Sequence, residues 1–545
     1  MRACMMDYPL TLQAVLERVP KFYAGVEIVS RPPGQAVHRY TYADFYRRAR
    51  ALASGLQELG LKPGDRVATL CWNHYAHLEA YFGVPTAGGV VHTLNLRLHP
   101  HELAFIVNHA EDRFLIVDDV LLPLLDQFRG QVRLERILAV RHGGDPLPAG
   151  CDDYETILSG AGDFTPHVAD ENEAAAMCFT SGTTGNAKGV LYSHRALVLH
   201  AMSFALPDCF GISQHDVVMA LAPMFHANSH GLAHVAAMLG CKLVLPGRSL
   251  DAESILELFD SEKVTFATAV PTVWASVLEA LEKHPGRWKI ASGMRAFVGG
   301  TACPESLMRG LDQQGIQLIQ VWGMTETTPV AVCSTLKAHM QEWPEQKQYD
   351  VRVRQGRPLP FIDVRVVNDN GEAAWDGASL GELQVRGPWV ASSYYRAPET
   401  ADRWTSDGWL RTGDIATIDA EGYVQIADRS KDLIKSGGEW ISSVALESCL
   451  AGHPDVREAA VIAVPHSKWG ERPLALVVLR EGAHPTPDVL REFLAQRFAK
   501  WQLPDAFVFT NELPHTSTGK LSKLELRRQF SGWEGISVCS GVWST

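Results

Sequence analysis

Phe179-Thr-Ser-Gly-Thr-Thr-Gly-Asn-Ala-Lys188-Gly-Val190 packs four hydroxyl side chains, three glycines and a lysine into one short stretch. Apolar segments flank it, Ala174 to Phe179 before and Val190-Leu-Tyr after. As a core element it would bury hydroxyls and bare amides without partners. As a loop it makes a phosphate cradle. Glycines let backbone N–H groups approach an anion closely, hydroxyls add donors, and Lys188 adds a point charge. The P-loop pattern G-x-x-x-x-G-K-[ST] is not met. Counted from Gly182, Ala187 precedes Lys188 and Gly189 follows it, so the hydroxyl that a P-loop gives to magnesium is missing. Alone, such a cluster also reads as a Gly/Thr-rich turn, and the rest of the chain has to decide.

Upstream, residues 10–170 alternate helix and strand patterns. Thr41 with Asp44 three positions on opens a helix whose Phe45, Ala49, Leu52, Leu56 and Leu59 share one face, and Gly60 closes it. Strand Arg66–Leu70, a helix around 77–88, a strand near 89–92, a helix around 99–109 and strand Phe114–Val117 follow. That alternation predicts a mostly parallel sheet covered on both faces. Downstream, Ser193-His194-Arg195 leads into a helix over Ala196–Phe204, and Val217–Pro223 reads as a buried strand. Two histidines, His226 and His230, come just past that strand's carboxyl end, where open α/β sheets place ligands. On their own they also read as ordinary loop histidines. Strand Val264–Thr268, a helix opened by Pro271, and strand Met294–Val298 running into Gly299-Gly300-Thr301 extend the pattern.

Gln320-Val-Trp322-Gly323-Met324-Thr325-Glu326-Thr places a carboxylate after an apolar strand. Glu326 repels a polyphosphate directly, but a carboxylate and phosphate oxygens can share Mg²⁺. From about 350 the texture changes to short strands around Ile362–Val367, Gly381–Arg386 and Gly422–Ala427, which predicts a β-barrel-like subdomain holding Trp409-Leu-Arg-Thr-Gly-Asp414. Asp428-Arg429-Ser-Lys431-Asp-Leu-Ile-Lys435-Ser-Gly-Gly mixes charge with a tight turn, the composition of a linker. The last ~115 residues read as a small α/β domain, with Pro487 at the first position of a helix and a Thr/Ser/Gly turn before Lys520.

With 545 residues the chain is too long for one core, and 46% hydrophobic with 21% charged residues describes an ordinary globular protein. A net charge of −12 disfavours nucleic acid, which needs a basic face. The ten cysteines have no C-x-x-C pair or metal spacing and read as thiols in a reducing compartment. Neither a signal peptide nor an apolar run of membrane-spanning length is evident, which predicts a cytoplasmic protein.

Taken in order, these motifs resemble those of the adenylate-forming enzymes: acyl-CoA synthetases, firefly luciferases and the adenylation domains of peptide synthetases. The likeness is strongest to bacterial medium- and long-chain fatty-acid–CoA ligases, through Val298-Gly-Gly, Asp432–Ser443 and Ala499-Lys-Trp-Gln-Leu-Pro504. The resemblance implies an α/β fold: a large N-terminal domain (1–428) of two α/β subdomains plus a β-barrel, and a small mobile α+β C-terminal domain (429–545). It implies that Thr180, Ser181, Gly182, Thr183, Thr184, Gly185 and Lys188 hold ATP phosphates. Gly299, Gly300, Thr301, Gln320, Trp322, Gly323, Met324 and Thr325 would then surround the nucleotide, with Asp414 and Arg429 on the ribose. Glu326 would hold Mg²⁺, Lys520 would serve adenylation, Lys435 would serve the thioester step, and Lys431 would be the hinge. His226 stands where amino-acid-activating members carry an aspartate for the substrate ammonium, which argues against an α-amino acid. It would neighbour the substrate carboxylate. His230 stands where some long-chain members carry a gating tryptophan.

The expected reaction uses ATP, Mg²⁺ and CoA to activate a medium- or long-chain fatty acid. A short acid such as 3-methylmercaptopropionate is the alternative, and a luciferase-like oxygenase or a non-catalytic nucleotide-binding protein are rivals from other classes. The resemblance also raises a homodimer through the N-terminal domain, and weak peripheral membrane contact.

Overall fold

The computed structural model describes residues 4–162, 164–167, 169–180, 187–437, 439–516, 520–531 and 533. A seven-stranded sheet runs in the order Asp152–Asp153, Arg136–Val140, Asp112–Asp118, Arg66–Leu70, Val90–Thr93, Ala174–Phe179 and Gly189–Ser193. Its pairings are parallel except the last, where Ala174–Phe179 and Gly189–Ser193 form an antiparallel pair flanking the Thr/Gly-rich loop. A nine-stranded sheet lies beside it, with Phe266–Ala269, Met294–Val298 and Ile316–Gly323 as successive parallel neighbours. The central strands are buried on both faces, as helix-covered parallel strands must be.

Local chemistry accounts for the element boundaries. Thr41 caps helix Tyr42–Glu58 in a full capping box with Asp44. Ser193 caps helix His194–Ala205, and Thr486 caps Pro487–Ala495 with proline at its first turn. The expected strand over Val217–Pro223 stops at Met219. Asn73 is the reason: its side-chain amide donates to the Ala220 and Ala222 carbonyls at 2.8 Å each, and its Oδ1 accepts the Met224 N–H at 2.8 Å. One buried side chain thus replaces a strand neighbour and bends the chain toward His226.

The β-rich region is a five-stranded antiparallel sheet, ordered Gly371–Glu372, Asp363–Asn368, Gly381–Arg386, Leu410–Ile418 and Val424–Arg429. Among the described residues no ladder joins its two edges, so the expected barrel takes the form of an open sheet in its hydrogen bonding. The expected linker is not a plain loop. Arg429 ends the last strand of this sheet, and Ile434–Ser436 pairs with Glu439–Ile441 in the C-terminal sheet. Only residues 430–433 pass between the two sheets. The C-terminal sheet is completed by Gly470–Leu479, Val456–His466 and Ala506–Phe509, over its own apolar core.

Candidate active site

The site forms where the carboxyl ends of the large-sheet strands meet the five-stranded sheet and the C-terminal unit. At the neck of the Thr/Gly-rich loop, the Thr180 N–H donates to the Lys188 carbonyl at 2.9 Å, and the Lys188 N–H donates to Thr180 Oγ1 at 3.2 Å. Ser181, Gly182, Thr183, Thr184 and Gly185 lie outside the described residues. Lys188 Nζ sits over the Tyr394 ring, 5.4 Å from its centroid. The Tyr394 hydroxyl donates to Glu326, which is buried. A cation, a phenol and a carboxylate therefore form one chain from the phosphate loop to the second motif. Nothing in the sequence singles out Tyr394, which lies in a run of polar loop residues.

Thr325–Thr327 forms a single 3-10 turn after strand Ile316–Gly323. The Tyr192 hydroxyl donates to the Thr325 carbonyl at 2.8 Å, and the Ala391 N–H donates to the Glu326 carbonyl at 2.8 Å. At Gly323 a Cβ would meet the Pro329 carbonyl oxygen at 1.7 Å, so the turn can close only on glycine. The Met324 N–H is tied to Thr327 Oγ1 at 2.9 Å. Gln320 is buried and has both ends of its amide engaged. Its nitrogen donates to the Thr301 carbonyl at 3.2 Å, and its oxygen accepts from the Cys303 N–H at 3.1 Å. It shapes the Gly299-Gly300-Thr301 loop.

Trp322 Nε1 donates to Asp414 Oδ2 at 2.9 Å, and Arg429 Nε lies 2.7 Å from Asp414 Oδ1. Burial raises the Asp414 carboxyl above its ordinary value, against the pull of Arg429, Trp322 and Lys520.

Lys520 enters this pocket from the C-terminal unit. Thr516 and Lys520 are joined by two hydrogen bonds, Thr516 N–H to the Lys520 carbonyl at 2.6 Å and Lys520 N–H to Thr516 Oγ1 at 3.1 Å. The lysine stem then lies along Gly300, where a Cβ would come within 3.1 Å of Lys520 Cε. Burial and the nearby Arg429 lower the ammonium's pKa, while Asp414 and Glu326 oppose them.

His226 is pushed down to about 3, chiefly by burial, then by His230 and Lys520. His230, pushed down to about 4 by burial and Lys520, stacks on Phe297 with ring centroids 5.4 Å apart. Both imidazoles are neutral at physiological pH.

Lys435 is not part of this constellation. It is exposed, with Nζ 5.3 Å from the Trp440 ring centroid. Lys431 is also exposed, in the passage between the two sheets. The structure therefore gathers Thr180, Lys188, Gly299, Gly300, Thr301, Gln320, Trp322, Gly323, Met324, Thr325, Glu326, Asp414, Arg429 and Lys520, with the two histidines beside them, and leaves Lys435 outside.

This fold and site define a class. Residues 16–395 match the AMP-binding enzyme family and residues 445–520 match the AMP-binding enzyme C-terminal domain, so the chain belongs to the AMP-binding enzymes. Among individual proteins, it is 48% identical to a long-chain-fatty-acid–CoA ligase of Thermus thermophilus, over 97% of each chain. It is 42% identical to a medium-chain-fatty-acid–CoA ligase of Ectopseudomonas oleovorans, over 96% of this chain and 97% of that one. It is equally 42% identical to a 3-methylmercaptopropionyl-CoA ligase of Ruegeria lacuscaerulensis, over 96% and 98%. Among solved structures, the anthranilate CoA ligase AuaEII in complex with anthranoyl-AMP superposes with a TM-score of 0.85 at 25% identity, covering 96% of this chain and 98% of that one.

Proposed function

We propose that this chain is an AMP-forming acid–thiol ligase that activates a medium- or long-chain fatty acid with ATP and passes it to CoA. One observation carries the reading: Lys520 lies against Gly300 in the same pocket as Asp414, Arg429 and Glu326, while Lys435 stays outside. That arrangement supports a role for Lys520 in the adenylation step.

In the first step the carboxylate oxygen attacks the α-phosphorus of ATP and pyrophosphate leaves. A carboxylic acid of pKa about 4–5 is already ionised at neutral pH, so no general base is needed. The barrier is the meeting of two anions, and the site must supply fixed positive charge and N–H donors. Lys520 serves the carboxylate and α-phosphate, and Lys188 with the Thr/Gly-rich loop serves the ATP phosphates. Neutral His226 neighbours the acid without repelling or protonating it. Asp414 and Arg429 take the ribose. Glu326 fits a divalent ion, because it is a buried hard-oxygen ligand oriented by Tyr394, whose ring carries Lys188 on its face. Bound Mg²⁺ would neutralise phosphate charge there.

In the second step the CoA thiol attacks the acyl carbonyl and AMP leaves. We infer that rotation about Lys431, at a domain boundary near 428, withdraws Lys520 and brings in Lys435. The described cysteines are all free thiols, which supports a cytoplasmic setting. No helix among the described residues is long and apolar enough to cross a membrane.

A chain-length series with ATP, Mg²⁺ and CoA, read as AMP release, tests the substrate. An apolar tunnel gains ~0.8 kcal/mol per buried CH₂, roughly fourfold per carbon. Catalytic efficiency should rise to at least C8. A maximum at C3–C5 would transfer the assignment to short acids such as 3-methylmercaptopropionate, and no acid-dependent AMP release at all would refute the ligase.

A further inference from the structure

A second group of reactive side chains lies apart from this pocket, at the carboxyl ends of central strands of the seven-stranded sheet. Cys71 follows strand Arg66–Leu70, and Asp118 ends its parallel neighbour Asp112–Asp118. His74 caps helix Tyr75–Thr86, and His142 follows strand Arg136–Val140. All four are buried. One ligand atom from each of Cys71, His74 and Asp118 lies within 4.8 Å of the others. His74 Nε2 is 2.7 Å from Asp118 Oδ1, and His142 Nε2 approaches the same oxygen at 3.1 Å. The Trp72 N–H holds the other oxygen, Oδ2, at 2.9 Å, so the carboxylate presents Oδ1 to the cluster. Despite full burial of its ring, His142 makes no well-formed hydrogen bond at either nitrogen. Buried polar groups are rarely left so, and a ligand that takes the lone pair would complete the ring's bonding.

We propose that Cys71, His74, Asp118 and His142 form a closed structural site for a divalent metal of the zinc type. Thiolate, imidazole and carboxylate in a set of four suit tetrahedral zinc, and four protein ligands leave no open position for catalysis. Charge supports the assignment. One thiolate and one carboxylate cancel a dication, so the buried site carries no net charge, where an unpaired ion would be expensive. Binding expels the Cys71 thiol proton, now directed at the Ile116 carbonyl at 3.5 Å. It also takes the His74 Nε2 proton, which moves to Nδ1 and gives up the long 3.3 Å cap from the Ala76 N–H. His77 stays outside the set, with its nitrogens 2.9 Å from Thr69 Oγ1 and 3.1 Å from the Trp72 carbonyl. Asn73 lies between Trp72 and His74 in sequence, and its side chain holds residues 220–224. A metal here would brace the segment that delivers His226.

The test uses the full-length chain without a polyhistidine tag, incubated with zinc and dialysed, then analysed for metal by mass spectrometry. A cobalt-substituted sample is read by absorption spectroscopy. One zinc per chain should be retained, and the cobalt form should show tetrahedral bands with thiolate-to-cobalt charge transfer. Cys71→Ser should abolish the charge-transfer band and weaken retention by more than about 100-fold, since outer-shell changes alone cost about 10–100-fold. His142→Ala should weaken retention and keep the band, and Cys151→Ser should change neither. An unaltered chain that retains no zinc, a cobalt form without a thiolate band, or a band that survives Cys71→Ser would each overturn the proposal. The first two readings need no variant, so misfolding of a mutant cannot decide the matter.

Discussion

The contact between Lys520 and Gly300 allows a test that separates a catalytic lysine from a merely structural one. Lys520→Ala removes one fixed cation from the place where charge builds at phosphorus. Losing one such preorganised donor costs about 10²–10³ in rate, or ~2.7–4 kcal/mol. Gly300 should act through the same lysine. Its φ is +93°, and a Cβ there would sit 3.1 Å from Lys520 Cε, so Gly300→Ala has to displace the stem by a few tenths of an ångström. If a misplacement of 1 Å costs about 10²-fold, one of about 0.3 Å scales to roughly fourfold. Backbone strain at positive φ adds about 1–3 kcal/mol of destabilisation, which a melting curve reads independently of rate. Two assays are needed: octanoate-dependent ATP–pyrophosphate exchange for adenylation, and thioester formation from supplied octanoyl-AMP and CoA. Both single variants should lose exchange and keep thioester formation. In the Lys520→Ala background, Gly300→Ala should cost no further exchange activity, because the stem it displaces is gone. Equal loss in both half-reactions, or a full fourfold penalty surviving in the double variant, would refute the reasoning.

Tyr394→Phe keeps the ring under Lys188 and deletes the hydroxyl that orients Glu326; it should raise the Mg²⁺ concentration needed for half-maximal exchange by about 10–100-fold, and an unchanged magnesium titration counts against the Glu326 assignment. Lys435→Ala should leave pyrophosphate exchange within about twofold and slow thioester formation, because the side chain lies outside the assembled pocket and keeps only its place by Trp440; selective loss of exchange would reverse the roles of the two lysines. The pH profile should show the lowered Lys520 pKa. Burial and Arg429 bring it down from the ordinary 10.5, so the ammonium loses its proton earlier than a solvated lysine does. The kcat/KM for exchange, which involves no thiol, should therefore fall on the alkaline side before ordinary lysine titrates, and Lys520→Arg should remove that limb if it stays active. A profile flat up to the ordinary lysine range would contradict it. With His226 already neutral above about 3, no imidazole limb should appear between pH 5 and 8.

What could be read in advance was what local rules govern. Thr41 with Asp44 announces a capped helix, and the capping box is there, because the bonds involved span three residues. Gly323 and Gly300 stand where motifs place them: no side chain fits between Gly323 and Pro329, and Gly300 has a positive φ of +93° and lies close against the Lys520 stem. The failures share a different cause. The stretch Val217–Pro223 reads as one continuous strand because its residues are apolar, yet Asn73, some 150 positions away, caps it after three residues. Tyr394 gives no signal in the sequence, because a tyrosine in a polar loop carries no pattern of its own. Its role appears only once Lys188 and Glu326 are brought to either side of it.

The same limit applies to the two lysines. Lys435 and Lys520 each sit in a recognisable motif, and chain order cannot say which one occupies the pocket. Geometry can, because Lys520 lies against Gly300 with Asp414 and Glu326 nearby, while Lys435 is exposed. A site that must first bring two anions together and then receive a thiol at the same carbonyl has reason to keep its second lysine outside until the first has left. Lys435 is exposed on a hairpin just beyond residues 430–433, which leaves it free for the thioester role proposed above.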